Sequence, residues 1–172
     1  WNDSFFMAMM FLLAGLFGPS SLRRKGAVTF LCDRGWRLGV PFVISAMVLA
    51  PLAYLPAYLM RAAETGSPGF WTAWQGLGMW PAGPAWFLWL LFAFSVAAAA
   101  LHAWAPRAFE KLAVLGARGL VSPVRTCVVF GAAAAVAYVV TTWFANPFGW
   151  SSWGPFTAQS ARLPLYVLYF VV

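Results

Sequence analysis

The chain reads as an all-α membrane protein, a polytopic helix bundle of about five spans, on three observations. Apolar stretches alternate with polar connections. Only 9% of the 172 residues are charged, against 63% that are hydrophobic. The basic residues gather in alternate connections. Ordinary soluble domains are roughly a quarter charged. A mean hydropathy of +0.77 suits a bilayer as solvent. So do eleven Trp and sixteen Phe, because Trp collects where membrane meets water. The net charge of +7 alternates with the spans and does not form the single basic stripe of a nucleic-acid-binding domain. No nucleic-acid partner is expected.

Each element has its own justification. A spanning helix needs about 20 apolar residues to cross about 30 Å. The first stretch, residues 4–17, is short; Asn2 and Asp3 offer capping groups at its start, and Gly18-Pro19-Ser20-Ser21 closes it. The second, residues 38–60, contains Pro41, Pro51 and Pro56, so it is expected to kink. The third covers 84–105. The fourth, 124–145, is rich in Ala and Val. The fifth begins at Leu163 and is cut off at Val172. The chain opens on Trp1 and closes inside an apolar run, so residues 1–172 read as part of a longer membrane domain. Residues 1–18 lack the basic segment of a signal peptide.

The connections set the topology. Nine of the eleven basic residues fall in or beside residues 18–37 and 106–123. The positive-inside rule makes those two loops cytoplasmic and turns 61–83 and 146–162 outward. Residues 70–77 read as a short helix lying in the interface. Residues 97–100 and 132–135 are small-residue faces suited to close helix packing. Asn146-Pro147-Phe148-Gly149 and Gly154-Pro155 read as turns. Cys32 and Cys127 have neither disulfide nor zinc spacing, and no metal site is expected.

A family resemblance enters at the first cytoplasmic loop. The run Phe5-Phe6-Met7-Ala8-Met9-Met10-Phe11-Leu12-Leu13-Ala14-Gly15-Leu16-Phe17 is followed by Ser20-Ser21-Leu22-Arg23-Arg24-Lys25-Gly26 and by Cys32-Asp33-Arg34-Gly35-Trp36-Arg37. It resembles the second span and first cytoplasmic loop of the acyltransferase-3 family of integral membrane acyltransferases, in the branch of the glucan-modifying protein C type. Gly83-Pro84-Ala85-Trp86-Phe87-Leu88-Trp89 resembles the entry to that family's next span. The resemblance covers about residues 5–91, and the remainder follows by hydropathy alone. Ala14 stands where a Ser is common in the family. The resemblance implies transfer of an acyl group from acyl-CoA, as co-substrate, to a hydroxyl of a carbohydrate or cell-envelope acceptor at the bacterial inner membrane. It also implies that the essential histidine lies in a preceding span, so the residues in hand are expected to be inactive alone.

The candidate residues are weighed on their chemistry. Arg34 and Arg37 share one helix face at i, i+3 spacing. Guanidinium grips phosphate bidentately and lysine does not, so the pair suits the phosphates of coenzyme A. The plainer role is a topology anchor on lipid headgroups. Arg23, Arg24 and Lys25 are adjacent and cannot all face one partner; they read as an anchor first and as auxiliary phosphate contacts second. His102 has the chemistry of a general base but does not match the family's essential position, so it reads as a packed or interfacial residue. Trp71, Trp74 and Trp80 suit either a sugar-stacking platform or the aromatic belt of the membrane edge. Glu64, Arg61 and Asp3 read as caps or solvated loop groups. Two other classes of function stay open: a transporter or lipid-handling permease, and a structural subunit whose basic loops only set topology.

Overall fold

The computed structural model describes residues 2–66, 69–78, 80, 83–119, 123–144, 146 and 149–171. The side chains of residues 2–5, 64, 65, 84, 115–119, 123, 126, 127 and 144 fall outside that description. So do the expected roles of Asp3, Glu64 and Cys127, and the Pro147-Phe148 part of the expected turn. The described chain is mostly helical. Among the described residues, Phe6–Lys25, Ala27–Ala63 and Trp86–Trp104 are long and apolar enough to cross a membrane, while Val128–Trp143 and Ser160–Val171 are apolar but shorter.

The first helix, α1 (Asn2–Lys25), does not stop at Gly18-Pro19. Proline removes the bond to the carbonyl four residues back, at Gly15, and a helix interior ordinarily loses about 3 kcal/mol there. Membrane helices accommodate such breaks through neighbouring helices and hydroxyl side chains. Here the Ser20 hydroxyl donates to the Phe17 carbonyl at 3.0 Å. The stop comes instead at Gly26, whose φ of 78° is open to glycine at little cost. Its N–H bonds the Leu22 carbonyl at 2.9 Å, and its own carbonyl takes the Phe30 N–H at 3.1 Å. The expected loop 18–37 is therefore helix almost throughout, and this corrects the first boundary.

From Ala27 one helical path continues through α2 (Ala27–Arg34), a π turn (Gly35–Gly39), α3 (Val40–Ile44), a second π turn (Ser45–Leu49) and α4 (Ala50–Thr65). The two π turns explain how prolines sit inside it. Val40, just before Pro41, donates to the Gly35 carbonyl five residues back; Ala50, just before Pro51, donates to Ser45 in the same way. Widening the turn by one residue moves a carbonyl away from the proline ring. It also orphans one acceptor, because the Ala46 carbonyl loses Ala50 as a donor and Pro51 has no N–H. The Trp80 indole Nε1–H fills that gap at 3.1 Å.

The chain returns through α5 (Phe70–Gln75), which packs on α4 through Phe70, Trp74, Tyr54 and Tyr58. It enters α6 (Trp86–Trp104) and then α7 (Pro106–Gly119), which makes the expected second basic loop a helix as well. Next come α8 (Pro123–Phe144), strands β1 (Trp150–Trp153) and β2 (Phe156–Gln159), and α9 (Leu163–Val171). A two-stranded antiparallel hairpin is added to the otherwise helical chain. Trp150 pairs with Gln159 and Trp153 with Phe156, around the Gly154-Pro155 turn. The hairpin lies on the start of α6: Trp89 donates its indole N–H to the Thr157 carbonyl at 2.8 Å, and Trp86 meets Trp150 edge-on at 5.5 Å.

Two cores fix the bundle. Met7, Phe11 and Ala14 of α1 meet Trp86, Leu90 and Leu91 of α6 and Tyr166 of α9. Phe11 is fully buried and stacks on Tyr166 at 4.7 Å. In lipid such contacts gain dispersion and close fit, because hydrocarbon surrounds the helices either way. Gly15 allows the closest approach. A Cβ placed there would lie 2.1 Å from the Phe170 carbonyl oxygen. The second core joins Leu22, Phe30, Ala99 and Phe109, from α1, α2, α6 and α7.

Candidate functional site

The second core brings the two basic segments to one end of the bundle. Arg23, in the last turn of α1, pairs with Glu110 of α7 at 2.5 Å. Lys25 pairs with Asp33 of α2. Both acids are thus engaged, while Arg24, Arg37, Arg107 and Lys111 remain exposed, so this end presents a net positive face. The amphipathic pattern of α7 explains its position. Phe109 is buried and Leu112 and Ala113 are half-buried, while Arg107 and Lys111 face out.

Arg34 and Arg37 occupy different settings. Arg34 is half-buried, with its guanidinium carbon 5.3 Å from the Phe30 ring centroid, a cation–π distance. Arg37 lies in the first π turn and is exposed, beside an exposed Trp36. Because Leu22 and Phe30 share one core across the Gly26 turn, α1 and α2 run antiparallel. A Cβ placed on Gly35, between Arg34 and Arg37, would meet the Phe92 ring of α6 at 3.9 Å.

A half-open cavity of about 510 Å³ lies between α1, α6, α7 and α9. Gly15, Ala98, Leu101, Phe109 and Phe170 are among its apolar walls, and Arg23 and Glu110 are its charged lining residues among those described. Arg34, Arg37, Arg24, Lys25 and His102 do not line it. His102 sits in the last turn of α6 with its ring 4.8 Å from that of Phe109, and its Nδ1 is buried without a hydrogen-bond partner. The three outward tryptophans separate. Trp71 is 61% exposed and Trp74 only 4%. Trp74 is held among Tyr54, Phe70 and Trp80, and Trp80 gives its N–H to Ala46. In this arrangement Trp71 alone offers an open ring face among the three. Among the described residues no group of three His, Cys, Asp or Glu gathers as a metal site would need.

Of the residues that frame the cavity, Arg23 and the small-residue face at 97–100 were legible in the sequence, and Glu110 and Gly15 were not singled out. Glu110 carried a usable signal, as an acid inside an otherwise basic connection. Gly15 carried none, because its role depends on a helix distant in sequence. Comparison with protein-family models, with curated proteins and with solved structures finds no match to this chain.

Proposed function

We propose that the chain is part of a membrane-bound O-acyltransferase of the bacterial inner membrane, with five spans among these residues and the basic end in the cytoplasm. It moves an acyl group from acyl-CoA to a hydroxyl of a carbohydrate or cell-envelope acceptor. The observation that supports this best is the joining of residues 18–37 and 106–123 at one end by the Arg23–Glu110 pair and the core beneath it. Alternating spans with a common cytoplasmic face require that arrangement. Arg34 and Arg37, at the end of α2 and in the π turn that follows it, hold the donor's phosphates. Residues 38–60 are about 34 Å long as a helix, enough for the hydrocarbon core above them. The acceptor hydroxyl attacks the thioester carbonyl carbon, an ester forms, and coenzyme A leaves as thiolate and takes up the proton. The base is a histidine outside these residues. Arg34→Ala with Arg37→Ala in the full-length protein tests the assignment: donor affinity and acyl transfer are expected to fall together, and unchanged values for both refute it.

A lipid-handling permease is the second reading. One observation favours it: among the described residues, the cavity walls include no histidine or cysteine that could take part in acyl transfer. Flux of lipid in vesicles without cleavage of any donor decides for that reading.

A further inference from the structure

We propose that the cavity between α1, α6, α7 and α9 holds the acyl tail of an anionic phospholipid, whose phosphate takes Arg23 from Glu110. This assignment goes beyond the acyl-transfer reading and does not depend on it. The cavity runs along α1 from Gly15 to Arg23, about 12 Å at the helical rise of 1.5 Å per residue. Gly15 and Phe170 line one end, at the close contact of α1 with α9. The Arg23–Glu110 pair lines the other, at the mouth on the polar side. An apolar slot that ends at a cation matches an amphiphile with a phosphate head. The volume of about 510 Å³ falls within the roughly 300–1,000 Å³ typical of small-molecule sites.

Charge selects the head. The Arg23 and Glu110 side chains are 47% and 50% exposed, and exposed pairs of this kind hold weakly. A phosphate anchored by its own tail therefore competes well for the guanidinium. Arg107 and Lys111, exposed on α7, leave the mouth net positive once Glu110 is displaced, which favours an anionic head over a zwitterionic one. Position selects a bilayer lipid over acyl-CoA. The cavity descends from the polar last turn of α1 into its apolar part, as a lipid tail does, while Arg34 and Arg37 do not line it.

The test uses the full-length protein in detergent, with phosphatidylglycerol or phosphatidylcholine spin-labelled near the tail end. The expected result is an immobilised phosphatidylglycerol component that exceeds the phosphatidylcholine one. Arg23→Gln should cut that preference about five-fold, and Glu110→Gln should tighten phosphatidylglycerol binding. Ala97→Phe, on an exposed lining position, should abolish immobilisation. If that variant misfolds by circular dichroism, Val114→Phe, also exposed and lining, replaces it. Three results overturn the proposal: equal binding of the two lipids, retention of phosphatidylglycerol by the filled variant, or displacement of the label by palmitoyl-CoA. The last assigns the cavity to the acyl donor. Loss of lipid binding with acyl transfer intact, or the reverse, separates this proposal from the enzymatic one.

Discussion

Gly15→Ala should separate α1 from α9. The added Cβ would sit 2.1 Å from the Phe170 carbonyl oxygen, 2.7 Å from its carbon and 3.0 Å from its Cα. A carbon–oxygen contact normally settles near 3.3 Å, so the two helices must part by about 1 Å. All three obstacles are backbone atoms, and no side chain can turn aside to absorb the clash. A gap of that size forfeits a quarter to a half of the dispersion attraction of each atom pair it opens, and the Phe11–Tyr166 stack at 4.7 Å lies in the same contact. Overpacking costs typically 1–3 kcal/mol, and this case belongs near the top of that range. Replacing glycine by alanine in a helix returns up to about 1 kcal/mol. The net loss is about 2 kcal/mol, roughly thirty-fold in the folded-to-unfolded ratio. Gly131→Ala, within α8, is the internal control, because a Cβ there meets nothing within 4 Å and gains the propensity term alone. Thermal or denaturant unfolding of the full-length protein in one detergent reads both variants. Equal stability of the two would refute the close-contact argument.

Further expectations concern single contacts. Trp80→Phe leaves the Ala46 carbonyl without the donor that the π turn and Pro51 deny it. A loss of about 1–3 kcal/mol is expected in unfolding, and Trp71→Phe, at an exposed ring, should change little. His102→Phe keeps the contact with the Phe109 ring and removes a buried nitrogen without a partner, so the melting temperature should rise. Glu110→Gln should cost less than about 1 kcal/mol of stability, because the pair it breaks is half exposed.

The sequence showed the apolar helices and the common side of the two basic segments, because both follow from composition and alternation. The short helix after Gly69 was legible from Phe70, Trp71 and Trp74, and the hairpin turn from Gly154-Pro155. What escaped were features that tertiary contacts decide. Gly18-Pro19 carries the usual signal of a helix end, yet α1 runs on to Lys25, because Pro19 is accommodated inside it. Pro41 and Pro51 announced disruption without showing its form, a π turn before each. The strands of the hairpin, Trp-Ser-Ser-Trp and Phe-Thr-Ala-Gln, are four residues each. They are held by Trp86, Trp89 and Phe42 from elsewhere in the chain. At the candidate site the cations were legible by type, but their separation was not. Arg23 faces the cavity, while Arg34 lies against Phe30 on another side.

The account rests on the inner-leaflet position of the Arg34–Arg37 face. Cys32 is exposed on α2, two residues before Arg34, and serves as a native probe once every other cysteine of the full-length protein, Cys127 among them, is replaced by Ala. A membrane-impermeant maleimide should label Cys32 in inverted vesicles and leave it unlabelled in intact cells. Labelling from the outer side of intact cells would contradict the account.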